Sequence, residues 1–188
     1  SDQIANALAL IEQAERPIIL AGHGIIMSGA GQEVQELAER AHIPITLTLL
    51  GKGAVAEDHP LVLGMMGMHG QAASNHAIQE ADLLIALGMR FDDRVTGNLK
   101  TYAQGARKIH IDIDPSEINK NVKADVGIAG DLKTVLRQML PELKAGDHAA
   151  WLNHIRNWQE DAHERDIINQ DTGELLLAAQ VINDLWKY

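Results

Sequence analysis

The sequence lacks cysteine altogether, which excludes disulfide bonds, cysteine-ligated zinc sites, iron–sulfur clusters and thiol catalysis. The same absence is compatible with a reducing, cytoplasmic setting, which is the location we expect. No window approaches about 18 uncharged apolar residues, so we expect no transmembrane helix. The first residues lack a basic start followed by an apolar run, and we therefore expect no signal peptide.

Basic residues are also few. The sequence has 16 Lys and Arg against 26 Asp and Glu, which gives a formal net charge of −10 at pH 7. Binding to a nucleic acid or to an anionic membrane depends on a positive surface, so we expect neither partner. The length of 188 residues predicts one domain with a short appendage, large enough to fold around its own core without a metal or a disulfide.

Short apolar runs alternate with longer amphipathic segments up to about residue 141. This alternation is typical of β-α-β units, in which helices cover both faces of a parallel sheet. We therefore predict a Rossmann-like, doubly wound α/β fold with about six parallel strands. The predicted strands are 17–21, 45–48, 82–87, 108–113 and 125–129, and the predicted helices are 2–15, 31–41, 72–80 and 132–143. Asp2 and Asp131 are expected to cap the first and the last of these helices.

The pattern changes after residue 143, where Lys-Ala-Gly-Asp-His at 144–148 predicts a linker. Two further helices are predicted over 149–165 and 175–186, the second opened by Asp-Thr-Gly at 171–173. All three tryptophans lie in these helices, so the tail carries an apolar stripe that should pack on this domain or on another one. We expect residues 1–148 to fold without this tail.

The first predicted strand is followed directly by Gly22, His23 and Gly24. In a Rossmann sheet, glycines at this position let the backbone approach a dinucleotide. The third glycine of the full motif and an immediate helix are both missing, so a tight turn that needs positive φ explains the pattern equally well. The next strand also ends in a glycine-containing segment, from Thr48 to Gly53, but it lacks the Walker spacing, and we reject a phosphate-binding P-loop.

Three methionines and three glycines occur within residues 64–70, a composition that predicts neither a strand nor a helix. Methionine makes soft apolar contacts to a planar ring, and glycine admits a ligand next to the backbone. Methionines that fill gaps in the core are the alternative. A helix that begins at Gln71 would place its free N–H groups beside this loop.

The strand 82–87 is followed by Gly-Met-Arg-Phe-Asp-Asp-Arg at 88–94. Arg90 would therefore stand beyond the carboxyl end of a strand, where open parallel sheets bind ligands. Its guanidinium is suited to a diphosphate, while Asp92 and Asp93 can accept hydrogen bonds from hydroxyl groups. The alternative is a cluster of surface ion pairs.

Acidic residues end the last two predicted strands. Asp112 and Asp114 close the strand 108–113, where a carboxylate is the expected acceptor for ribose hydroxyls. Asp114 can instead cap the turn before Pro115. Asp131 follows the last strand and can face an adenine or simply cap the next helix.

Metal and nucleophile motifs are missing. The nine histidines include no pair with His-x-x-x-His spacing, so we predict no metal site. No serine lies in a Gly-x-Ser-x-Gly turn, so we predict no serine nucleophile and no catalytic residue in this chain.

Three motifs together resemble the central domain of acetolactate synthase (acetohydroxyacid synthase) catalytic subunits. They are Gly-Met-His-Gly at 67–70, Gly-Met-Arg-Phe-Asp-Asp-Arg-Val-Thr-Gly at 88–97, and Ile-Asp-Ile-Asp-Pro at 111–115 with the later Gly-Asp at 130–131. The order and spacing fit from Ile4 to about Leu143. The resemblance implies that 1–148 is the central, FAD-binding domain of a thiamine-diphosphate enzyme, and that 149–188 is a helical linker and the beginning of a truncated C-terminal, thiamine-diphosphate-binding domain.

The resemblance also implies a function. Intact enzymes of that family use thiamine diphosphate and Mg²⁺ to decarboxylate pyruvate and join the product to a second 2-ketoacid, giving acetolactate or acetohydroxybutyrate for branched-chain amino-acid synthesis. Their FAD undergoes no net redox change, and thiamine diphosphate and Mg²⁺ are bound by the other domains. The implied partners are the remaining N- and C-terminal domains, a homodimeric or homotetrameric assembly, and a regulatory small subunit.

By motif, the resemblance implies that residues at or just after the ends of the predicted strands bind FAD. A methionine at position 89, where the family often has a smaller residue, is expected to crowd the diphosphate. The expected residues are Gly22, His23, Gly24, Thr48, Leu49, Met66, Gly67, Met68, His69, Gly88, Arg90, Asp92, Arg94, Val95, Asp112, Ile113, Asp131 and Leu132.

Two other interpretations stay open from the sequence. The chain can be the central domain of another thiamine-diphosphate enzyme, one that binds ADP or no nucleotide. It can also be a self-contained nucleotide-binding or regulatory module. A flavin absorption band in the purified protein would separate these interpretations from the first.

The sequence predicts that the 188-residue chain alone makes no acetolactate, even with pyruvate, thiamine diphosphate, Mg²⁺ and FAD. It contains no Gly-Asp-Gly motif for a metal-bound diphosphate, and the resemblance assigns the thiamine-activating glutamate to a segment that this sequence does not include. A colorimetric acetolactate assay against a protein-free blank is the measurement. Product above the blank would contradict the prediction.

Overall fold

Six parallel strands form one open sheet in the computed structural model, which describes residues 2–164, 166–169, 171, 173, 175 and 177–187. The strand order is β3-β2-β1-β4-β5-β6, and each of the five pairings is parallel. The predicted doubly wound α/β fold is therefore confirmed. The strands are β1 (Pro17–Ala21), β2 (Ile45–Leu47), β3 (Val62–Met65), β4 (Leu83–Leu87), β5 (Arg107–Asp112) and β6 (Val126–Ala129).

Helices connect the strands, and two more follow the sheet. No helix within the described ranges is long and apolar enough to cross a membrane. Short 3-10 turns occur at Leu49–Gly51, Leu140–Glu142 and Ile167–Asn169. The helices are α1 (Asp2–Gln13), α2 (His23–Ser28), α3 (Gly31–Ala41), α4 (Ala72–Glu80), α5 (Asp93–Thr96), α6 (Leu132–Met139), α7 (Ala149–Glu164) and α8 (Ala178–Trp186).

The core lies on both faces of the sheet, because neighbouring strand residues point to opposite sides. Ile19 and Ile85 belong to one buried cluster, which includes the apolar faces of α1, α3 and α6. Leu20 and Leu84 belong to a second cluster, which includes residues of α4 and α7. All five residues of β1 and of β4 are buried, as expected for central strands covered by helices on both sides.

The structure corrects the prediction that residues 64–70 form neither strand nor helix. Val62–Met65 is strand β3, which pairs with β2 at the edge of the sheet. Gly64 has φ +98, and the register shifts between the two paired positions, so the strand is irregular. Pairing with β2 stabilises a segment whose local composition gives no strand signal.

Two helix starts also differ from the prediction. Helix α2 follows Gly22 immediately, whereas the sequence analysis expected no helix there. Asp2 is the first residue of α1 rather than its cap. The cap at the last of these helices is confirmed, since the Asp131 side chain accepts hydrogen bonds from the N–H and the hydroxyl of Thr134. Helix α6 ends at Met139, before Pro141, which has no N–H to continue it.

The first half of the tail packs on this domain. Trp151 is only 4% exposed, lies in the same core cluster as residues of α4, and donates from its indole N–H to the carbonyl of Pro17 at 3.1 Å. Helix α8 begins at Ala178, three residues later than predicted, and Trp186 near its end is 82% exposed. The predicted positions Arg165 and Thr172 lie outside the described residues. The boundary at residue 148 stays a prediction, although α7 contributes to the core.

These two tryptophans predict opposite effects on stability. Trp151→Ala should lower the free energy of unfolding by about 3–5 kcal/mol, because it opens a cavity in the second cluster and leaves the Pro17 carbonyl without a donor. Trp186→Ala, the matched control, should change it by less than about 0.5 kcal/mol. Urea unfolding followed by circular dichroism is the measurement. If Trp151→Ala lowered the free energy of unfolding as little as the control does, α7 would add nothing to the core.

Candidate functional site

The strand order reverses between β1 and β4, because β2 and β3 lie on one side of this pair and β5 and β6 on the other. Open α/β sheets bind ligands beyond the carboxyl ends of the strands at such a point. We call the last residue of each strand, together with the segment that follows it, the carboxyl edge. Every residue expected to bind FAD lies on the carboxyl edge, so the fold brings together the segments that sequence motifs had singled out.

The loops after β1 and β4 touch each other through their backbones. The N–H of Gly24 donates to the carbonyl of Gly88 at 3.0 Å, and the N–H of Gly22 donates to that of Leu87 at 2.9 Å. A Cβ on Gly24 would lie 2.7 Å from the Gly88 Cα, and a Cβ on Gly22 would overlap the Gly88 carbonyl. The protein's own packing therefore explains these glycines.

The side of the edge formed by β2 and β3 presents apolar side chains. Leu49 and Leu50 are both exposed, and Nδ1 of His23 lies 2.9 Å from the Leu50 carbonyl oxygen. Thr48 is buried, and its hydroxyl oxygen accepts a hydrogen bond from the N–H of Gly51. This side thus offers an apolar surface next to the loop after β1.

The two central methionines of residues 64–70 have different environments. Met66 is 3% exposed and lies in the second core cluster, as the gap-filling alternative predicted. Met68 is 59% exposed, and its N–H donates to the carbonyl of Arg94 at 2.9 Å. A Cβ on Gly67 would lie 2.6 Å from that same carbonyl oxygen. A cavity of about 260 Å³ opens beside Met68 and Arg94 and includes Val95.

Arg90 stands beyond the end of β4 with 68% of its side chain exposed. Its Nε donates to Asp92 at 3.2 Å, so the ion-pair alternative holds for this nitrogen. Its two terminal nitrogens have no acceptor in the part of the chain that the structure describes. Asp92 also caps α5, since its carboxylate accepts from the N–H groups of Arg94 and Val95. The guanidinium is therefore oriented from one side and open on the other.

Carboxylates lie at the ends of β5 and β6. Asp112 accepts from the N–H of Asp114 at 2.9 Å, and Asp114 accepts from that of Ser116 at 2.8 Å, as the turn-capping alternative predicted. Hydrogen bonds from Ser116 hold the pKa of Asp114 below its ordinary value, and those from Thr134 do the same for the pKa of Asp131. Asp114 and Asp131 are therefore ionised at neutral pH, and the side chain of Ile113, between Asp112 and Asp114 in the chain, is exposed.

Two further residues hold the loop that follows β4, and no motif pointed to them. We call residues 88–92 the β4 loop. Nε2 of the buried His110 lies 2.7 Å from the Met89 carbonyl oxygen, so Nε2 carries the proton. Nδ2 of Asn121 donates to the carbonyls of Arg90 and Phe91, each at 3.1 Å. All three contacts join residues at least 21 positions apart, so no local pattern in the sequence indicates them.

The side chain of Met89 is buried in the second core cluster. The expectation that it crowds a diphosphate stays a prediction. Within the described ranges, no group of three or more His, Asp or Glu side chains is arranged to hold a metal ion.

Comparison with known proteins gives a consistent result. Residues 4–139 match the family model described as the central domain of thiamine pyrophosphate enzymes. The chain is 55% identical over 156 residues to a probable acetolactate synthase large subunit of Methanocaldococcus jannaschii, a match that covers 81% of this chain and 26% of that protein. It is 43% identical over 190 residues to the acetolactate synthase large subunit of Cyanidium caldarium, covering 97% of this chain and 32% of that protein.

A third relative, the acetolactate synthase large subunit of Parasynechococcus marenigrum, is 50% identical over 161 residues, with 84% of this chain and 26% of that protein covered. The chain thus spans about a quarter to a third of the length of the curated relatives it matches.

His110 predicts a pH-dependent stability. Burial holds the pKa of His110 below its ordinary value, and the Met89 carbonyl, Asp112 and Glu117 offset this only in part. The unfolded chain therefore takes up a proton near pH 6.5 that the folded chain resists, and stability falls as the pH drops below about 6.5.

The comparison is with His110→Gln, which cannot titrate and whose amide can donate to the Met89 carbonyl. The free energy of unfolding of the wild type should fall more steeply than that of the variant, by up to about 1.4 kcal/mol per pH unit below pH 6.5. Urea unfolding at several pH values gives both curves. Parallel curves would show that His110 titrates alike in both states.

Proposed function

Because the chain belongs to the thiamine pyrophosphate enzyme family, whose central domain it forms, we propose that it is the FAD-binding part of an acetolactate synthase large subunit. The names of the relatives support the enzyme. The position of Arg90 is the observation that carries the cofactor proposal. Its two terminal nitrogens, which bond to no described residue, lie next to the point where the strand order reverses, and a guanidinium forms bidentate, charge-assisted hydrogen bonds with phosphate oxygens.

The carboxyl edge offers suitable groups for all three parts of FAD, the flavin, the diphosphate and the adenosine. Leu49, Leu50 and Met68 offer exposed apolar surface for a planar ring on the β2 and β3 side. Arg90 provides the cation for the diphosphate in the middle. On the β5 side, Ile113 offers apolar contact, and Asp112 can accept from ribose hydroxyls. Along the carboxyl edge, the apolar, cationic and acidic groups therefore lie in the same order as the flavin, diphosphate and adenosine of FAD.

Several of the expected residues have side chains that are buried or already hydrogen-bonded. Thr48, Met66 and Leu132 have buried side chains, so we propose that any contact they make is through the backbone. Asp131 has a carboxylate already engaged in a helix cap. The remaining residues proposed for FAD are Gly22, His23, Gly24, Leu49, Gly67, Met68, His69, Gly88, Arg90, Asp92, Arg94, Val95, Asp112 and Ile113.

The carboxyl edge supplies only one wall of a cofactor site. The cavity beside Met68 holds about 260 Å³, less than the roughly 300–1,000 Å³ of sites that enclose a drug-sized ligand. We propose that other domains of a longer protein cover the second side, and that they hold thiamine diphosphate and Mg²⁺. When bound, FAD would supply no net redox chemistry, and its contribution would be structural.

For the whole protein we propose the decarboxylating condensation of pyruvate with a second 2-ketoacid, for branched-chain amino-acid synthesis in the cytoplasm. We also propose a homodimer or homotetramer with a regulatory small subunit. A central domain that takes only ADP is the competing candidate. It would leave Leu49, Leu50 and Met68 exposed, so these side chains favour FAD.

Arg90→Ala should weaken FAD binding about tenfold to a hundredfold, because it removes a charge-assisted contact of about 1.5–3 kcal/mol. Arg90→Lys should recover only part of the affinity, since an ammonium lacks the planar fork. Titration followed by flavin fluorescence gives each dissociation constant. The affinity of the wild type should also fall with salt more steeply than that of Arg90→Ala.

Arg156→Ala is the control, because Arg156 is exposed on α7 and bonds only to Asn153 in the described residues. It should leave FAD binding unchanged. Equal affinity of the wild type and Arg90→Ala would remove Arg90 from the site. ADP binding without FAD binding would favour the competing candidate.

A further inference from the structure

Three consecutive carbonyl groups of the β4 loop are held by side chains from elsewhere in the chain. His110 of β5 holds the Met89 carbonyl at 2.7 Å, and Asn121 holds those of Arg90 and Phe91 at 3.1 Å each. His110 is buried under the loop, while Asn121 is exposed beside it. The loop is therefore held through three consecutive carbonyls.

This fastening fixes the direction of the intervening amides. No described peptide bond is cis, and in a trans peptide the N–H points away from the carbonyl of the preceding residue. The N–H of Arg90 therefore points away from His110, and those of Phe91 and Asp92 point away from the amide of Asn121. Within the described residues, none of these three N–H groups donates to an acceptor.

The loop would not adopt this shape without support. Phe91 has φ +49, a left-handed conformation that a bulky aromatic residue rarely adopts. Its ring is buried against His110, with the ring centres 5.2 Å apart. A right-handed residue next to a left-handed one directs successive N–H groups into one concave surface, which binds anions, and Phe91 supplies the left-handed residue here. The Arg90 side chain extends from the same loop.

We propose that Asn121 and His110 are positioning residues of the cofactor site. By holding the carbonyls of residues 89–91 inward, they present the N–H groups of residues 90–92 and the guanidinium of Arg90 to a diphosphate. This inference rests on the proposed function for the identity of the ligand. The conformation of the loop does not depend on that identity and can be measured separately.

Asn121→Ala is the decisive variant, because Asn121 is exposed and its loss removes two hydrogen bonds without opening the core. Trypsin cleavage after Arg90 reports the loop without any ligand. The variant should be cleaved at this bond severalfold faster than the wild type, with the same midpoint in urea. Arg90→Ala identifies the fragment, since it removes the cleavage site. Asn121→Asp, which replaces the donor by a carboxylate facing two carbonyls, should be cleaved faster still.

The control is Asn153→Ala, which also removes a side-chain hydrogen bond but on the surface of α7. Asn121→Ala should raise the dissociation constant for FAD about threefold to tenfold, whereas Asn153→Ala should leave it unchanged. The salt dependence of FAD binding by Asn121→Ala should shrink toward that of Arg90→Ala. A purely structural role for Asn121 would not change this dependence. For His110, Gln should retain more affinity than Leu, because only Gln can donate to the Met89 carbonyl.

The outcomes separate the two proposals. Equal cleavage of Asn121→Ala and Asn153→Ala would overturn the positioning role, whatever happens to FAD. Faster cleavage with unchanged FAD affinity and unchanged salt dependence would overturn the link between the loop and the site. If a full-length protein that contains this chain fails to bind FAD, the proposed function falls, and the cleavage rates alone decide whether Asn121 positions the loop.

Discussion

The backbone contact between the loops after β1 and β4 is the constraint on which the carboxyl edge depends. These strands are neighbours at the point where the order reverses, and their loops approach until Gly24 touches Gly88 with no room for a Cβ. Gly88 also donates to the carbonyl of Ile111, so one glycine links the ends of three strands. Its φ of +59 turns the chain outward, and Arg90 follows two residues later. A fold-level feature thereby determines where the cation stands.

The electrostatics of this edge favour short-range contacts over long-range attraction. The chain has a formal net charge of −10; Asp92 lies in the same loop as Arg90, and Asp112 and Asp114 lie at the end of the neighbouring strand β5. A negative surface does not steer an anionic cofactor toward itself. Binding of a diphosphate must therefore come from hydrogen bonds at the β4 loop, where each amide and the guanidinium is already oriented. Orientation before binding also reduces the ordering cost of association.

The central strands and the loops that follow them could be predicted from the sequence, because continuous apolar runs mark them. Strands β1 and β4 are buried on both sides, so their residues are all apolar and their ends, with the loops that follow, could be located. Strand β3 was missed because it lies at the edge, contains a glycine with positive φ and depends on its partner. Met66 and Met68 could not be distinguished, since one is buried and the other exposed in a loop without periodicity. Asn121 was missed because its role is a contact across 31 positions.

Two groups of exposed apolar residues differ in their chemistry. On the carboxyl edge, Leu49 and Ile113 lie on either side of an arginine and several carboxylates, as expected for a small amphipathic ligand with a charged centre. On α8, Ile182, Leu185 and Trp186 are exposed on a helix whose apolar surface is not covered by the described residues. An apolar helix face suits protein contact better than a cofactor, because it offers no polar group to orient one. The two surfaces thus call for different occupants, and only the carboxyl edge has the groups that a dinucleotide needs.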